Sequence, residues 1–337
     1  MSHELEIIDG EAQMFSAEGK VPWHGLGTVI EDDAATAADA LNYSGLNWTV
    51  ELKPMGQEIG VDPDTDEMVY DEVPGIFSVQ RSSDLKSVGQ VASRYNPLNN
   101  VDAFAFGDDI LGLKDGAHWI TAGSLKGGKT VWMMAKLPET IHIAGMEDEA
   151  IQPYVMVSNS HDGSRAVEAS VVTERVVCHN TFTAALNGAK RTHKIRHTKN
   201  MSQRMNEAKA VINIVKTYSD ELQKVGTDLL GQGFTTQEFD NFLESLVPTV
   251  DKDGSTKTGI ALTKAENKQE QIKTIWANKD DLQNIKHTKW GALQAVIDFN
   301  DHHIESRGDN KAEKRMSRIL LPMQKNIGHK ALDLLSV

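Results

Sequence analysis

The sequence predicts an α+β protein, with a mainly antiparallel sheet and helices in its first half and a mostly α-helical second half. Three observations carry this. Short apolar, β-branched runs bounded by turn residues recur up to about residue 178, among them HWITAGSL, PYVMVSNS and VEASVVTERVVC. Beyond about residue 204 the apolar residues fall at helical spacing instead, in MNEAKAVINIVKTYSDELQKVGTDLL, TQEFDNFLESLV, QEQIKTIWANK and WGALQAVIDFNDHH. The apolar fraction of 39% and charged fraction of 25% are those of a globular chain, and 337 residues exceed what one core usually serves. The expected division is an α+β sheet domain over 1–188 and a mainly helical region with a basic entry segment over 189–337.

In chain order, ATAADALNY follows acids at 31–33 that suit a helix N-terminus, and NWTVELKPM reads as a strand. GVDPDTDEMVYDEV is crowded with Asp and Pro and reads as a hairpin loop that re-enters the sheet at PGIFSVQR. It resembles a calcium loop only superficially, since Pro63 lies inside it and the central glycine is missing. SVGQVASRYNPLNN is a strand ending in a turn, and VDAFAFGDDILG a helix with Phe104, Phe106 and Ile110 buried. IHIAG and QPYVMVSN are strands, SHDGSRA is a turn, and HNTFTAALN is a helix. KRTHKIRHTKN and PTVDKDGSTKTGIA are linkers, and KNIGHKALDLL closes the chain as a helix.

Residues 123–130, GSLKGGKT, fit the pattern of a phosphate-binding loop. That loop needs a helix behind it, whose first N–H groups hold the phosphates. Here VWMMAKLP follows, apolar, β-branched at its start and closed by Pro138, so the segment reads as two strands joined by the Gly127-Gly128 turn. No nucleotide cofactor is expected from it.

No complete catalytic or metal-ligand constellation is present, and neither a metal nor another cofactor is expected. Cys178 and His179 are sequence neighbours, which point to opposite faces of a strand, and Cys178 reads as a buried apolar residue. The single cysteine fits a reducing compartment. His161, Asp162 and Gly163 sit on a turn between strands, the one place where an exposed acid/base pair is suggested. Asp298 and His302 are four apart and are expected on one helix face. There is no apolar run of membrane-spanning length, and the acidic start MSHELEIIDGEAQ is unlike a secretory signal, so a cytoplasmic location is expected.

The net charge of −13 is unevenly placed. Residues 1–74 hold 17 acids against Lys20 and Lys53, so the remainder is slightly positive. Between Lys190 and Lys216 stand eight bases, Lys190, Arg191, Lys194, Arg196, Lys199, Arg204, Lys209 and Lys216, against the single acid Glu207. Such a cluster, with Arg165 and Arg175 before it, is the pattern of a polyanion contact.

The ordered set PWHGLGT, SRYNPLNN, TAGSLKGGKTVWMMAKL, SNSHDGSRAVEA, ERVVCHNTFTAAL and WGALQAVIDFNDH resembles the DUF932 phage/plasmid-like family of mobile-element proteins, over about residues 20–335. Its shared turn residues here are Tyr95, Asn96, Pro97, Asn100, His161, Asp162, Gly163 and Asn180. The resemblance implies a phage or plasmid setting in a bacterial host cell and brings no catalytic residues. The order of sheet then helix is also similar to single-strand annealing proteins of the Rad52 type, a fold-level analogy. The expected function is binding or annealing of single-stranded DNA, with Arg165, Arg175, Lys190, Arg191, Lys194, Arg196, Lys199 and Arg204 on the phosphates and Tyr95, Trp119 and Trp132 as the aromatics available for stacking. The alternatives are an acidic interaction protein directed at a host or phage protein, and an enzyme using His161 and Asp162. A homo-oligomer is a further expectation.

Overall fold

The computed structural model describes residues 6–8, 11–19, 27–32, 34, 36–112, 114–175, 180–182, 190–194, 201–251, 253–304 and 327–336. The chain forms an α+β protein of two compact units, residues 1–136, 156–169 and 192–212 in the first, and 137–155, 170–191 and 213–337 in the second. The division is therefore not a single cut near residue 188: the chain passes between the units five times, at 136/137, 155/156, 169/170, 191/192 and 212/213.

The first unit opens with β1 (Ile7–Ile8) and β2 (Glu11–Ala12), an antiparallel pair, then β3 (Met14–Ser16) and β4 (Thr28–Val29). Helix α1 (Ala37–Tyr43) starts where the acids predicted it, on a reciprocal cap between Thr36 and Asp39. A three-stranded meander follows, β5 (Val50–Val61), β6 (Met68–Arg81) and β7 (Ser87–Ala92), in the order β5-β6-β7. Helix α2 (Asn100–Leu111) buries Phe104, Phe106 and Ile110. Strands β8 (His118–Leu125) and β9 (Thr130–Lys136) form the hairpin expected around KGGK, and the strand order runs β4-β3-β8-β9 and on to β11 (Ala150–Ser160), whose last five residues belong to this unit. Asp108 ties the layers: its Oδ1 accepts from the backbone N–H of Ala37 at 2.8 Å and from the Trp119 indole at 2.9 Å.

In the second unit β10 (Ile141–His142) pairs with the start of β11, and β12 (Glu168–Arg175) leads to β13 (Asn180–Phe182). Strand β14 (Thr192–Lys194) follows in the first unit. Next come α3 (Met201–Leu230), α4 (Thr236–Leu246), α5 (Gly259–Asn278), α6 (Lys289–Asp298) and α7 (Ile327–Leu335). Helix α4 starts on a Thr235–Glu238 capping box, and Phe239 stacks on Trp276 of α5 with centroids 4.0 Å apart. Glu149, fully buried, accepts from the Arg175 guanidinium and, at 2.9 Å, from the Trp290 indole.

Four local expectations change. The acidic stretch is not one long loop: β5 and β6 extend to Val61 and Met68, leaving a short turn built by Asp62, whose Oδ1 accepts from the N–H of Asp64 at 2.8 Å. IHIAG gives only two strand residues before a 3₁₀ turn in which Ala144 has φ of 51°. Asn180–Phe182 is strand rather than helix, paired antiparallel with Thr173–Arg175, so its β-branched and aromatic residues serve a ladder. The rest of HNTFTAALN, like Cys178, His179 and most of PWHGLGT, lies outside the described residues. Asp298 accepts from His303, at 3.1 Å, because residues Phe299–His303 form a π-helical turn that brings position i+5 under i.

Candidate functional site

Three of the stretches that carry the family resemblance meet in the first unit. The turn after β7, SRYNPLNN, docks on the end of β11 through the Tyr95 hydroxyl, which donates to the Ser160 carbonyl at 3.2 Å. The Asn159 amide donates back to the Leu98 carbonyl at 3.3 Å. The hairpin turn joins them, with the His161 N–H donating to the Lys129 carbonyl at 2.8 Å. Gly89 permits this approach, since a Cβ there would lie 2.6 Å from the Cα of Asp162.

Asn100 begins α2 and is fully buried. Its amide nitrogen donates to the Leu46 carbonyl at 2.8 Å, so its Oδ1 accepts, and the His161 Nε2–H is the donor 2.9 Å away. This fixes the neutral tautomer with a bare Nδ1, which is buried with no hydrogen-bond partner. Burial pushes the His161 pKa down to about 4, with Asp162 working against the shift and Arg81 adding to it. Next to it, Asp162 is half-buried; despite the cost of desolvation, bonds from the Ser160 and Ser164 hydroxyls and the Ser164 N–H hold its carboxyl below the usual range. The turn is thus closed on itself: Ser160 Oγ donates to Asp162 Oδ1 at 2.5 Å and the N–H of Ser164 at 2.9 Å, while Gly163 takes φ of 73°. As placed, His161 locks a turn and is sealed from solvent, so it presents no proton to a substrate.

Sequence reasoning missed what lies beneath. The His161 ring packs on Trp48 with centroids 5.0 Å apart, and Arg81 sits over the same indole at 5.2 Å. Arg81 is fully buried; Asp84 takes it bidentately at 2.9 and 2.6 Å and Glu6 at 2.6 Å. Desolvation opposes its charge, but the bonds to Asp84 and Glu6 outweigh that and raise its pKa. Glu6 also accepts from Ser124 of β8 at 2.8 Å. Gly128 of the KGGK turn rests on this group, with φ of 88° and no room for a Cβ, which would lie 2.7 Å from Arg81 Nη1. Gly128, the second glycine of the pair, therefore serves a buried arginine. Arg81 was legible as the only base between Lys53 and Lys86, at the end of a strand-like run. At the surface beside it an open cleft of about 440 Å³ is lined by Ser87, Gly89, Gln90, Lys129 and Asp162.

The proposed phosphate-contacting bases divide. Arg175 is 2% exposed and paired with Glu149, and Arg191 is 8% exposed with its Nη1 donating to the Val171 carbonyl at 3.0 Å. Both are structural, bonded within the sheet region, and are withdrawn from any surface role. Arg165 is half-buried, with Nη1 out of solvent and without a partner. Lys190, Lys194, Lys209 and Lys216 are exposed, and no ion pair among the described residues engages them. The acid among them, Glu207, is taken by His193. Arg196 and Lys199 lie outside the described residues, as does the side chain of Arg204, and Asn180 is described by its backbone alone. Of the aromatics, Trp119 and Trp132 are each 1% exposed and belong to the core; Tyr95 is half-buried, Asn96 exposed and Pro97 half-buried.

Among the described residues no group of three or more His, Cys, Asp or Glu side chains is arranged to hold a metal ion, and no helix is long and apolar enough to cross a membrane. No curated protein and no solved structure matches the chain. The family described as "Domain of unknown function (DUF932)" matches residues 87–320, a span that takes in the β7 turn, the KGGK hairpin, the His161 turn and the basic segment, and the chain belongs to that family.

Proposed function

We propose that this chain is a mobile-element protein that binds single-stranded DNA through the basic segment between Lys190 and Lys216, in the service of annealing or recombination. The supporting observation is the set of four exposed lysines, Lys190, Lys194, Lys209 and Lys216, that no acid among the described residues neutralises. Cations left exposed in this way gain from phosphate contact, because each displaces condensed counterions from the polyanion. With Trp119 and Trp132 in the core, the phosphate contacts carry the binding, and such contacts hold no sequence information.

Photocrosslinking of a thymidine-rich oligonucleotide to the full chain, followed by peptide mapping, tests the reading. Crosslinks within residues 189–217 support it. Crosslinks confined to other segments, or none at low salt, refute it.

A further inference from the structure

The meander of the first unit carries a strand edge that the DNA reading does not use. Strand β7 pairs with β6 only over residues 76–80, so beyond that point the β5–β6 hairpin runs on as a two-stranded ribbon. From Met68 to Glu72, β6 pairs residue for residue with β5, and the residue skipped in this stretch is Ile59 of β5. The other side of residues 68–72 has no strand beside it among the described residues. Exposed edges are usually guarded by lysine, proline or a bulge. None of these falls within residues 68–72, and Pro74 lies just past them. Met68, Val69 and Tyr70 are 47, 37 and 61% exposed, and Ile59 and Val61 across the ladder are 64 and 51% exposed. A two-stranded ribbon of this kind is marginal alone and gains from a further strand. From Glu58 to Glu72 there are seven acids and no base.

The charge decides what fits this edge. Nucleic acid and anionic lipid are repelled by it. A second ribbon would set seven acids against seven. The complement is an extended protein segment in which basic and apolar residues alternate. Its backbone continues the β6 ladder, its apolar side chains cover Met68 and Tyr70 on one side of the sheet, and its cations meet Asp71 on the other. Lysine suits the second role, since its methylene stem lies along apolar neighbours while the ammonium reaches a carboxylate. We propose that residues 68–72 of β6 are a docking edge for a basic, extended segment of another protein, which joins the ribbon as a third strand. This goes beyond the DNA reading and does not rest on it.

The test is fluorescence anisotropy of a labelled, end-blocked peptide of alternating lysine and valine, about eight residues long, titrated with the full chain freed of nucleic acid. Two further peptides accompany it, one of alternating glutamate and valine, the other the lysine–valine sequence with every backbone nitrogen methylated. The protein variant is Asp71→Lys/Glu72→Lys; both side chains are exposed, and far-UV circular dichroism with thermal melting verifies that it folds. The expected result is that the lysine–valine peptide binds and the glutamate–valine peptide does not. Charge reversal in the protein lowers the affinity about tenfold or more, and so does methylation of the peptide, which removes its backbone donors. Hydrogen exchange of residues 68–72 slows when the peptide is bound. No binding at low salt overturns the proposal. So does binding that the variant or the methylated peptide leaves intact, since that is charge attraction to some other part of an acidic chain. Self-association of the pure chain in sedimentation velocity, abolished by the variant, assigns the edge to a second copy and overturns it equally. Because nucleic acid is absent, none of these outcomes bears on the DNA reading.

Discussion

The Nε2–H of His161 donates to Oδ1 of Asn100 at 2.9 Å, and this bond joins the start of α2 to the turn after β11 across 61 residues of chain. It lies at the centre of a buried stack in which Arg81, Trp48 and His161 follow one another.

Replacing Asn100 by Leu leaves the Leu46 carbonyl and the His161 N–H buried without partners. The expected cost is about 2–6 kcal/mol, from two unsatisfied groups at roughly 1–3 kcal/mol each, read as a lower midpoint in urea unfolding. Retained stability would show that a water or a shifted side chain satisfies both groups.

His161 makes stability pH-dependent. Its pKa is about 4 in the folded chain and about 6.5 when unfolded, so between these values the unfolded chain binds more protons and stability rises with pH. Falling from pH 6.5 to 4 should remove about 3 kcal/mol, and His161→Gln should flatten that part of the profile. Asp84 and Asp162, whose pKa values are lowered in the fold, lose their contribution only at more acid pH, below the ordinary carboxylate range. The two losses are therefore separable in a series of unfolding curves.

The two glycines of the KGGK turn should differ. Gly127 has φ of 64° and its nearest neighbour is Lys86 Nζ at 3.6 Å, so Gly127→Ala should cost about 1–2 kcal/mol of backbone strain. Gly128→Ala adds a contact at 2.7 Å with an arginine whose position Glu6 and Asp84 fix, and it should cost about 1–3 kcal/mol more. A phosphate loop predicts instead that magnesium and ATP raise the melting temperature. The hairpin predicts no shift.

The hairpin was legible because Pro138 closes VWMMAKLP before a helix can form, and α2 in part because Phe106 and Ile110 stand four apart. What escaped the sequence was set by long-range partners. Asn180–Phe182 is strand because it pairs with Thr173–Arg175 of β12, a partner that only the fold supplies, and Asp298 meets His303 rather than His302 because a π-turn shifts the period from four to five. Arg175 and Arg191 look like surface bases in a basic stretch, yet Glu149 and the Val171 carbonyl hold them inside. The His161 turn was found as a turn, but its support by Trp48 and Arg81, more than 60 residues away, required the fold.

Fluorescence anisotropy of a labelled single strand, and of the matching duplex, titrated at several salt concentrations, is the most direct measurement on the function. Four lysines on phosphates give a log–log salt slope of about −3 for a single strand, steeper if Arg196, Lys199 and Arg204 join them. Lys190→Ala/Lys194→Ala/Lys209→Ala should weaken binding and flatten the slope by about 2. Tight, salt-sensitive binding lost in that variant is the predicted result. No binding at low salt, or binding that the variant leaves intact, contradicts the assignment of the segment 190–216 to DNA.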